Sequence, residues 1–392
     1  MIPFNKPYLT GKEAHYLYQA VYSGHISGNG VYTKKCQDFF IKKWGFKKTL
    51  LTTSCTDALE MCALLLDIKE GDEVIVPSYT FVSTALAFAR QGAKIVFADS
   101  MPDHPNIDVA KIESLITPKT KVIVPVHYAG HAVDMDEIMK LADKYSLYVV
   151  EDAAQAIDSF YKGRPLGSIG HLGTFSFHET KNIQCGEGGL LTINDEQFAR
   201  RAEILWEKGT NRAEFFRGQV NKYGWVDLGS SFLPAEIVSA FLWAQLESLD
   251  MIQAKRKSIW KKYCELLKPL EDKGMIKLPI VKDYASQNSH MFYLICNSLE
   301  ERTALIKHLK QNGILSVFHY LSLHKSPYYT DKYEGENLPN SDFFETHLVR
   351  LPFYYELTNN EIEKISNEII SFYNHYKNPI GTKNTTGIYN LT

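Results

Sequence analysis

Val122-Ile-Val-Pro-Val126 and Leu147-Tyr-Val-Val150 are apolar without a break, and that feature narrows the fold more than any other. A strand with one wet face alternates polar and apolar residues, whereas an unbroken apolar run is buried on both faces. Sheets covered on both sides are parallel sheets flanked by helices. Short runs at Thr49–Thr52, Glu73–Pro77, Lys94–Asp99, Gly173–Phe177 and Gly189–Ile193 join Lys121–Val126 and Leu147–Glu151 as predicted strands. Between them, Thr56–Leu66 sets Leu59, Cys62, Ala63 and Leu66 on one helical stripe, and Asp136–Tyr145 carries Ile138, Met139 and Leu141. The alternation predicts an α/β fold with a mostly parallel central sheet.

After Pro234 the pattern changes. Ala235–Lys268 has Val238, Leu242, Leu246 and Leu249 at helical spacing and predicts one long helix, stopped by Pro269. Strands at Lys277–Pro279, His290–Cys296 and Ile314–His319, with a helix near Glu301–Asn312, predict a smaller α+β unit. The expected organisation is a large α/β domain over 1–240, a C-terminal α+β domain over 241–379 and a frayed polar tail over 380–392.

Composition excludes several function classes. In 392 residues, 43 Lys and Arg stand against 45 Asp and Glu, so no basic surplus points to nucleic acid and no charge block to an acidic tail. No run reaches the ~18 apolar residues of a membrane span, and the N-terminus lacks a secretory pattern. Six scattered cysteines without a Cys-x-x-Cys pair fit neither a disulfide framework nor a zinc site. The expectation is a cytoplasmic protein with no metal, no nucleic acid and no membrane contact.

Three segments could carry chemistry. Leu50-Leu-Thr-Thr-Ser-Cys-Thr-Asp-Ala-Leu59 is a strand, a hydroxyl-rich turn and a helix. It reads either as an ordinary helix cap or as an anion site, where free amides and the hydroxyls of Ser54 and Thr56 surround a phosphate. Leu147-Tyr-Val-Val-Glu-Asp-Ala-Ala-Gln155 puts two acids at the carboxyl end of a strand, the edge where open α/β sheets bind ligands. A carboxylate there can hold a protonated ring nitrogen, or simply cap the next helix. In Phe175-Ser-Phe-His-Glu-Thr-Lys-Asn-Ile-Gln-Cys-Gly-Glu-Gly-Gly189, a lysine follows a buried strand among aromatics and glycines. Desolvation there would lower its pKa and make it a nucleophile toward aldehydes. A phosphate cradle, a strand-end acid and such a lysine are together what pyridoxal phosphate requires. No Gly-x-Gly-x-x-Gly opens an early helix, which argues against a nicotinamide enzyme.

These stretches resemble the DegT/DnrJ/StrS family of sugar aminotransferases, from Ile2 to about Tyr373. The shared stretches are Pro77-Ser-Tyr-Thr-Phe-Val-Ser-Thr84, Val122-Ile-Val-Pro-Val-His-Tyr-Ala-Gly130, Phe175–Asn182, Phe215-Phe-Arg-Gly-Gln-Val220 and Leu242-Trp-Ala-Gln-Leu-Glu247. The resemblance implies the aspartate-aminotransferase-like, type I pyridoxal-phosphate fold. It implies Lys181 as the Schiff-base lysine and proton carrier, Asp152 as partner of the pyridinium nitrogen, and Gln155 near the phenolic oxygen. Ser54, Cys55, Thr56 and Ser176 would hold the phosphate and Phe81 would stack on the ring. Ser231 stands where many members carry an Asn that reaches the neighbouring subunit's phosphate, and Cys55 where many carry Gly. Glu187, Arg217, Lys222, Tyr223, His319, Tyr320 and His324 would approach the substrate, although Lys222 and His324 read equally well as solvated surface. The resemblance further implies a homodimer with shared sites, L-glutamate as amino donor, and a dTDP-linked 4-keto-6-deoxyhexose converted to dTDP-4-amino-4,6-dideoxygalactose. A 3-keto or other nucleotide sugar, and a non-catalytic sugar-nucleotide-binding regulator, are the alternatives. Related sugar dehydratases on this fold carry His where this chain has Lys181.

Overall fold

In the computed structural model, which describes residues 1–377, the apolar runs become strands of one sheet. Lys48–Thr52 (β1), Glu73–Pro77 (β2), Lys94–Ala98 (β3), Thr120–Ile123 (β4), Tyr148–Asp152 (β5), Leu172–Ser176 (β6) and Gly189–Ile193 (β7) lie in the spatial order β1-β7-β6-β5-β4-β2-β3. The pairs β2–β3, β2–β4, β4–β5 and β5–β6 are parallel, and β7 runs against both its neighbours. Burial on both faces explains the unbroken runs. Ile75, Ile123 and Val149 face one core layer, with Phe40, Phe175 and Leu246. Val74, Val76, Val122 and Val150 face the other, with Leu59, Cys62 and Phe88. Helices Cys55–Leu65, Ser83–Ala89 and Met135–Tyr145 connect the parallel strands.

Two expected elements end elsewhere. β4 stops at Ile123 rather than Val126, since Pro125 has no N–H to continue the ladder; its carbonyl nonetheless accepts from Asp152 N at 2.9 Å and pins the end of β5. The single helix predicted over 235–268 is two, Glu236–Glu247 and Leu249–Asp272, broken at Ser248. Pro269 lies inside the second helix instead of stopping it. The hydrogen bond lost at Pro269 is outweighed by burial of Leu267 and Leu270, which carries the helix on to Asp272. That helix also joins two cores, with Leu249 and Ile252 in the sheet layer and Ile259, Tyr263 and Leu267 in a separate cluster.

The second cluster supports a three-stranded antiparallel sheet of Tyr293–Ile295 (β8), Val317–Phe318 (β9) and Leu348–Arg350 (β10), with β10 central. Helices Leu299–Gln311 and Asn359–Lys377 contribute Leu305, Leu309, Ile365 and Ile369 to its core. Of the strand expected at Lys277–Pro279 only a bridge from Lys277 to Ile295 forms. Ile314 bridges instead to Ile2, so the first residues of the chain belong to this smaller core. The tail expected at 380–392 lies outside the described residues. Among these, no helix is long and apolar enough to cross a membrane.

Candidate active site

The carboxyl ends of β1, β5 and β6 border a cleft of about 490 Å³, closed on its far side by residues of the smaller unit. At the first edge, Ser54 is extended and its Oγ accepts from Asp57 N at 3.1 Å, so it caps the helix Cys55–Leu65. The amides of Cys55 and Thr56 belong to the first turn, where a helix has no internal acceptors, and carry its positive end toward the cleft. Thr56 Oγ1 lies 2.8 Å from Ser83 Oγ. Gly189, at the start of β7, presses on this turn: a Cβ there would stand 2.5 Å from Cys55 N and still closer to the Ser54 carbonyl. Only glycine permits that approach. Ser176, at the end of β6, lines the cleft on the same side.

At the second edge, Asp152 is 5% exposed. Thr84 Oγ1 donates to its Oδ2 at 2.7 Å and Ala154 N to its Oδ1 at 3.1 Å. Thr80 Oγ1, 3.1 Å from Thr84 Oγ1, extends the chain. Fixed donors of this kind aim the carboxylate. Gln155 is oriented by two bonds, accepting from Ala129 N at 2.6 Å and donating to Tyr320 Oη at 3.1 Å.

Lys181 is carried by the turn between β6 and β7. Lys181 N bonds His178 O at 2.9 Å, and Phe177 N bonds Gly188 O at 2.8 Å, which closes the loop beneath it. Its amine has no hydrogen bond or ion pair among the described residues. Burial lowers its pKa to about 8; Cys55 and Asp152 oppose the shift and Arg350 reinforces it. The Cys55 thiol, also desolvated, is pushed up and stays protonated. Phe81 lies at the mouth with 56% of its surface exposed, an unusual cost for a large aromatic, and its ring is 6.0 Å from that of Tyr320.

The far wall comes from His290, His319, Tyr320 and Arg350. His290 Nδ1 lies 2.8 Å from Asn182 Oδ1, beside the lysine in sequence, and Tyr128 Oη lies 3.1 Å from His319 Nδ1. Burial holds both imidazoles well below their ordinary range.

Of the residues singled out from the sequence, the cleft gathers Ser54, Cys55, Thr56, Phe81, Asp152, Gln155, Ser176, Lys181, Glu187, His319 and Tyr320. Others lie apart from it. His324 is 4% exposed, with Nδ1 2.7 Å from Ser78 Oγ, and is thus neither surface nor cleft. Arg217 Nη2 pairs with Glu203 at 2.8 Å. Lys222 is exposed, and Tyr223 packs on Phe215 at 5.6 Å. Ser231 is exposed and bridges to Glu207. Sequence reasoning missed Thr84, His290 and Arg350. Thr84 closes the quoted stretch Pro77–Thr84, and Arg350 is a lone charge between apolar neighbours in Leu348-Val-Arg-Leu351, a signal in itself.

The donor set fits pyridoxal phosphate: a glycine-cleared helix start for the phosphate, a hydrogen-bonded buried acid, and an unpartnered lysine of lowered pKa. Comparison with known proteins agrees. The chain is 35% identical over 349 residues to the uncharacterized protein MJ1066 of Methanocaldococcus jannaschii, covering 87% of this chain and 89% of that one. Its fold matches an aminotransferase from Psychrobacter cryohalolentis with TM-score 0.89 and 28% identity, over 96% and 100% of the two chains. It matches the pyridoxal-phosphate form of Spr1654, a sugar aminotransferase candidate from Streptococcus pneumoniae, with TM-score 0.88 and 28% identity over 95% and 98%. Residues 7–370 match one family throughout, and the chain belongs to it: the DegT/DnrJ/EryC1/StrS aminotransferases, sugar aminotransferases that work with pyridoxal phosphate.

Proposed function

We propose that this sugar aminotransferase moves the amino group of L-glutamate to the C4 ketone of dTDP-4-oxo-6-deoxy-D-glucose. The products would be 2-oxoglutarate and dTDP-4-amino-4,6-dideoxygalactose. The observation that carries the reading is the convergence of Lys181, Asp152 and the Ser54 helix start on one cleft. The choice of sugar rests on the resemblance carried by the stretches Pro77–Thr84, Val122–Gly130, Phe175–Asn182, Phe215–Val220 and Leu242–Glu247 together.

When bound, pyridoxal phosphate supplies an aldehyde that takes up an amine and a ring that accepts the electron pair left on the substrate carbon. The residues divide the remaining work. Lys181, with a pKa of about 8, is available as free amine near neutral pH. It would hold the aldehyde at rest and, once displaced by the donor, carry the proton taken from the substrate carbon. Asp152, held by Thr84 and Ala154, would keep the ring nitrogen protonated. The amides of Cys55 and Thr56, with the hydroxyls of Ser54, Thr56 and Ser176, would fix the phosphate. Phe81 would cover one ring face, and Gln155 would hold the phenolic oxygen.

We infer that the working unit is a homodimer. Ile26, Val31, Trp225 and Leu228 are 55%, 64%, 81% and 64% exposed. Their two segments are tied together where Asn29 Nδ2 meets Glu207 Oε1 at 3.1 Å and Glu207 bridges to Ser231. An apolar face of this kind calls for a partner. A second copy would also give exposed Arg217, Lys222, Tyr223 and Ser231 a site to serve.

Incubation with L-glutamate and dTDP-4-oxo-6-deoxyglucose, followed by identification of the aminated carbon, tests the reading. Amination at C4 supports it. Conversion only of the 3-keto isomer, or of neither sugar, overturns it.

A further inference from the structure

His290 lines the cleft beside Lys181 without a part in the steps assigned to the lysine. It stands just before β8 and is 3% exposed. Its main chain is fixed from two sides. His290 N donates to Asn288 Oδ1 at 3.0 Å, and Arg256, on the helix Leu249–Asp272, donates to the carbonyls of Ser289 at 3.0 Å and His290 at 2.6 Å. The hydrogen bonds around the ring also fix where its proton lies.

Asn182, next to Lys181 in the chain, touches three groups. A main-chain carbonyl can only accept, so the Asn182 atom 2.9 Å from Asn288 O is Nδ2. Gln253 agrees: its Nε2 donates to Asp158 Oδ2 at 3.3 Å, which turns its Oε1 toward Asn182 Nδ2 at 2.8 Å. Both hydrogens of the Asn182 amide are then used, and Oδ1 is left as an acceptor. His290 Nδ1, 2.8 Å from that oxygen, must donate to it. Burial holds the imidazole well below its ordinary range, with Lys181, Arg350, Arg256 and His319 adding to the effect. The ring is therefore neutral, and Nε2 carries the lone pair. That nitrogen has no hydrogen bond among the described residues and is not sealed in the core; it opens on the cleft.

Lys181 presents the matching half. Its amine is likewise without a partner among the described residues and lines the same cleft. Asn182 ties the imidazole to the lysine's own turn, so the two groups keep one spatial relation. We propose that His290 Nε2 accepts an N–H of Lys181 whenever the lysine is free of the cofactor, which makes His290 the positioning residue for the lysine's proton transfer. The inference rests on Lys181 as the proton carrier and adds what aims it. The proton passes between Lys181 Nζ and carbon, and none passes to His290. An acceptor of depressed basicity suits that task, since it orients an ammonium group without taking its proton. Two other donors share the chemistry, a hydroxyl of the sugar and the ammonium of the amino donor. Each is present in one half-reaction only, whereas Lys181 carries a proton in both.

Two substitutions divide the imidazole. An Asn side chain reaches as far as Nδ1, and a Gln side chain as far as Nε2. His290→Asn therefore keeps the bond to Asn182 and empties the cleft-side position, and His290→Gln does the reverse. In the holoenzyme, followed by the cofactor's visible absorbance, His290→Asn should slow both half-reactions about 10- to 100-fold, the effect of losing one hydrogen bond to a charged group. KM for L-glutamate should stay within about threefold of the native value. With 2-deuterated L-glutamate, the isotope effect of the variant should be at least as large as the native one. His290→Gln should recover most of the rate. A purely structural role for the ring requires the opposite order, with His290→Gln the damaged variant. Where His290→Asn misfolds, a crystal structure of the native protein loaded with pyridoxamine phosphate decides, with Lys181 Nζ expected about 3 Å from His290 Nε2. Loss in one half-reaction only, loss mainly in KM, a smaller isotope effect, His290→Gln slower than His290→Asn, or Nζ out of hydrogen-bond reach overturns the proposal. Full turnover by Lys181→Ala would instead refute the lysine as proton carrier, and the proposal with it. Failure of the native protein to react with L-glutamate refutes only glutamate as the donor, and the same comparison is then run on the amino acid that does react.

Discussion

The pKa of Lys181 provides a quantitative test that needs no sugar substrate. A solvated lysine with its ordinary value of 10.5 is about 0.03% free amine at pH 7. With the value lowered to about 8, roughly a tenth is free amine at the same pH. The ratio, about 300-fold, is the advantage that burial gives this lysine over the rest of the protein's lysines in capturing an aldehyde near neutrality. Cofactor-free protein mixed with pyridoxal phosphate, followed at roughly 400–430 nm, should therefore react about ten times slower for each pH unit below 8 and level off above it. The neighbours set the direction in variants. Asp152 raises the lysine's pKa and Arg350 lowers it. Asp152→Asn should move the midpoint to lower pH, and Arg350→Gln should move it higher. A rate that keeps climbing past pH 10 would mean that Lys181 is solvated, and the desolvation argument would fail with it. A midpoint raised by Asp152→Asn or lowered by Arg350→Gln would refute the assignment of its neighbours.

Asp152→Asn keeps the shape of the side chain and its bond from Thr84 but removes the charge; transamination should fall about 100- to 1000-fold with folding retained, and a loss below about tenfold would remove Asp152 from its role. Gly189→Ala forces a methyl group against Ser54 and Cys55, so it should cost about 1–3 kcal/mol of stability in urea denaturation and release the cofactor on dialysis. Unchanged cofactor affinity in that variant would show that the helix start is not the phosphate seat. For the dimer, Lys181→Ala and a doubly substituted Arg217→Ala, Ser231→Trp chain should each be nearly inactive. Co-expressed, they should recover about a quarter of native activity, since half the dimers formed by random pairing are mixed and each of those has one intact site. No recovery from verified mixed dimers would place the loop on its own subunit's cleft.

Legibility of the site followed the distance over which its parts are encoded. Ser54–Thr56, Asp152–Gln155 and Ser176–Lys181 each follow a strand directly, so a reader who finds the strand finds the residues at its carboxyl end. Parallel strands put all those ends on one edge, which is why three separate segments could be assembled without coordinates. Arg350 and His290 come from the smaller unit, and no local pattern says that they meet Lys181. Their place depends on how the helix Leu249–Asp272 carries the second core across to the first. Contiguity also misled. His324 follows Tyr320 closely, yet the turn at Leu323–Lys325 swings it into a buried bond with Ser78 at 2.7 Å.

The two acids of Val149-Val-Glu-Asp152 show how finely position decides function. They are adjacent in β5, both buried, and chemically alike. Successive side chains of a strand point to opposite faces. Glu151 therefore turns inward, where it accepts from His127 Nε2 at 2.9 Å and from the amides of Gly167 at 2.9 Å, Ile169 at 2.6 Å and Gly170 at 2.6 Å. Its charge is spent on protein donors and its task is to bind the turn before β6 to the sheet. Asp152 turns the other way, with two donors only, and faces the cleft. A one-residue slip in the register of β5 would turn each side chain to the other face, taking Asp152 out of the cleft and Glu151 away from its donors. The sheet register, fixed by Val150 opposite Leu172 and Asp152 opposite Thr174, is thus what makes one of two equivalent acids available for chemistry.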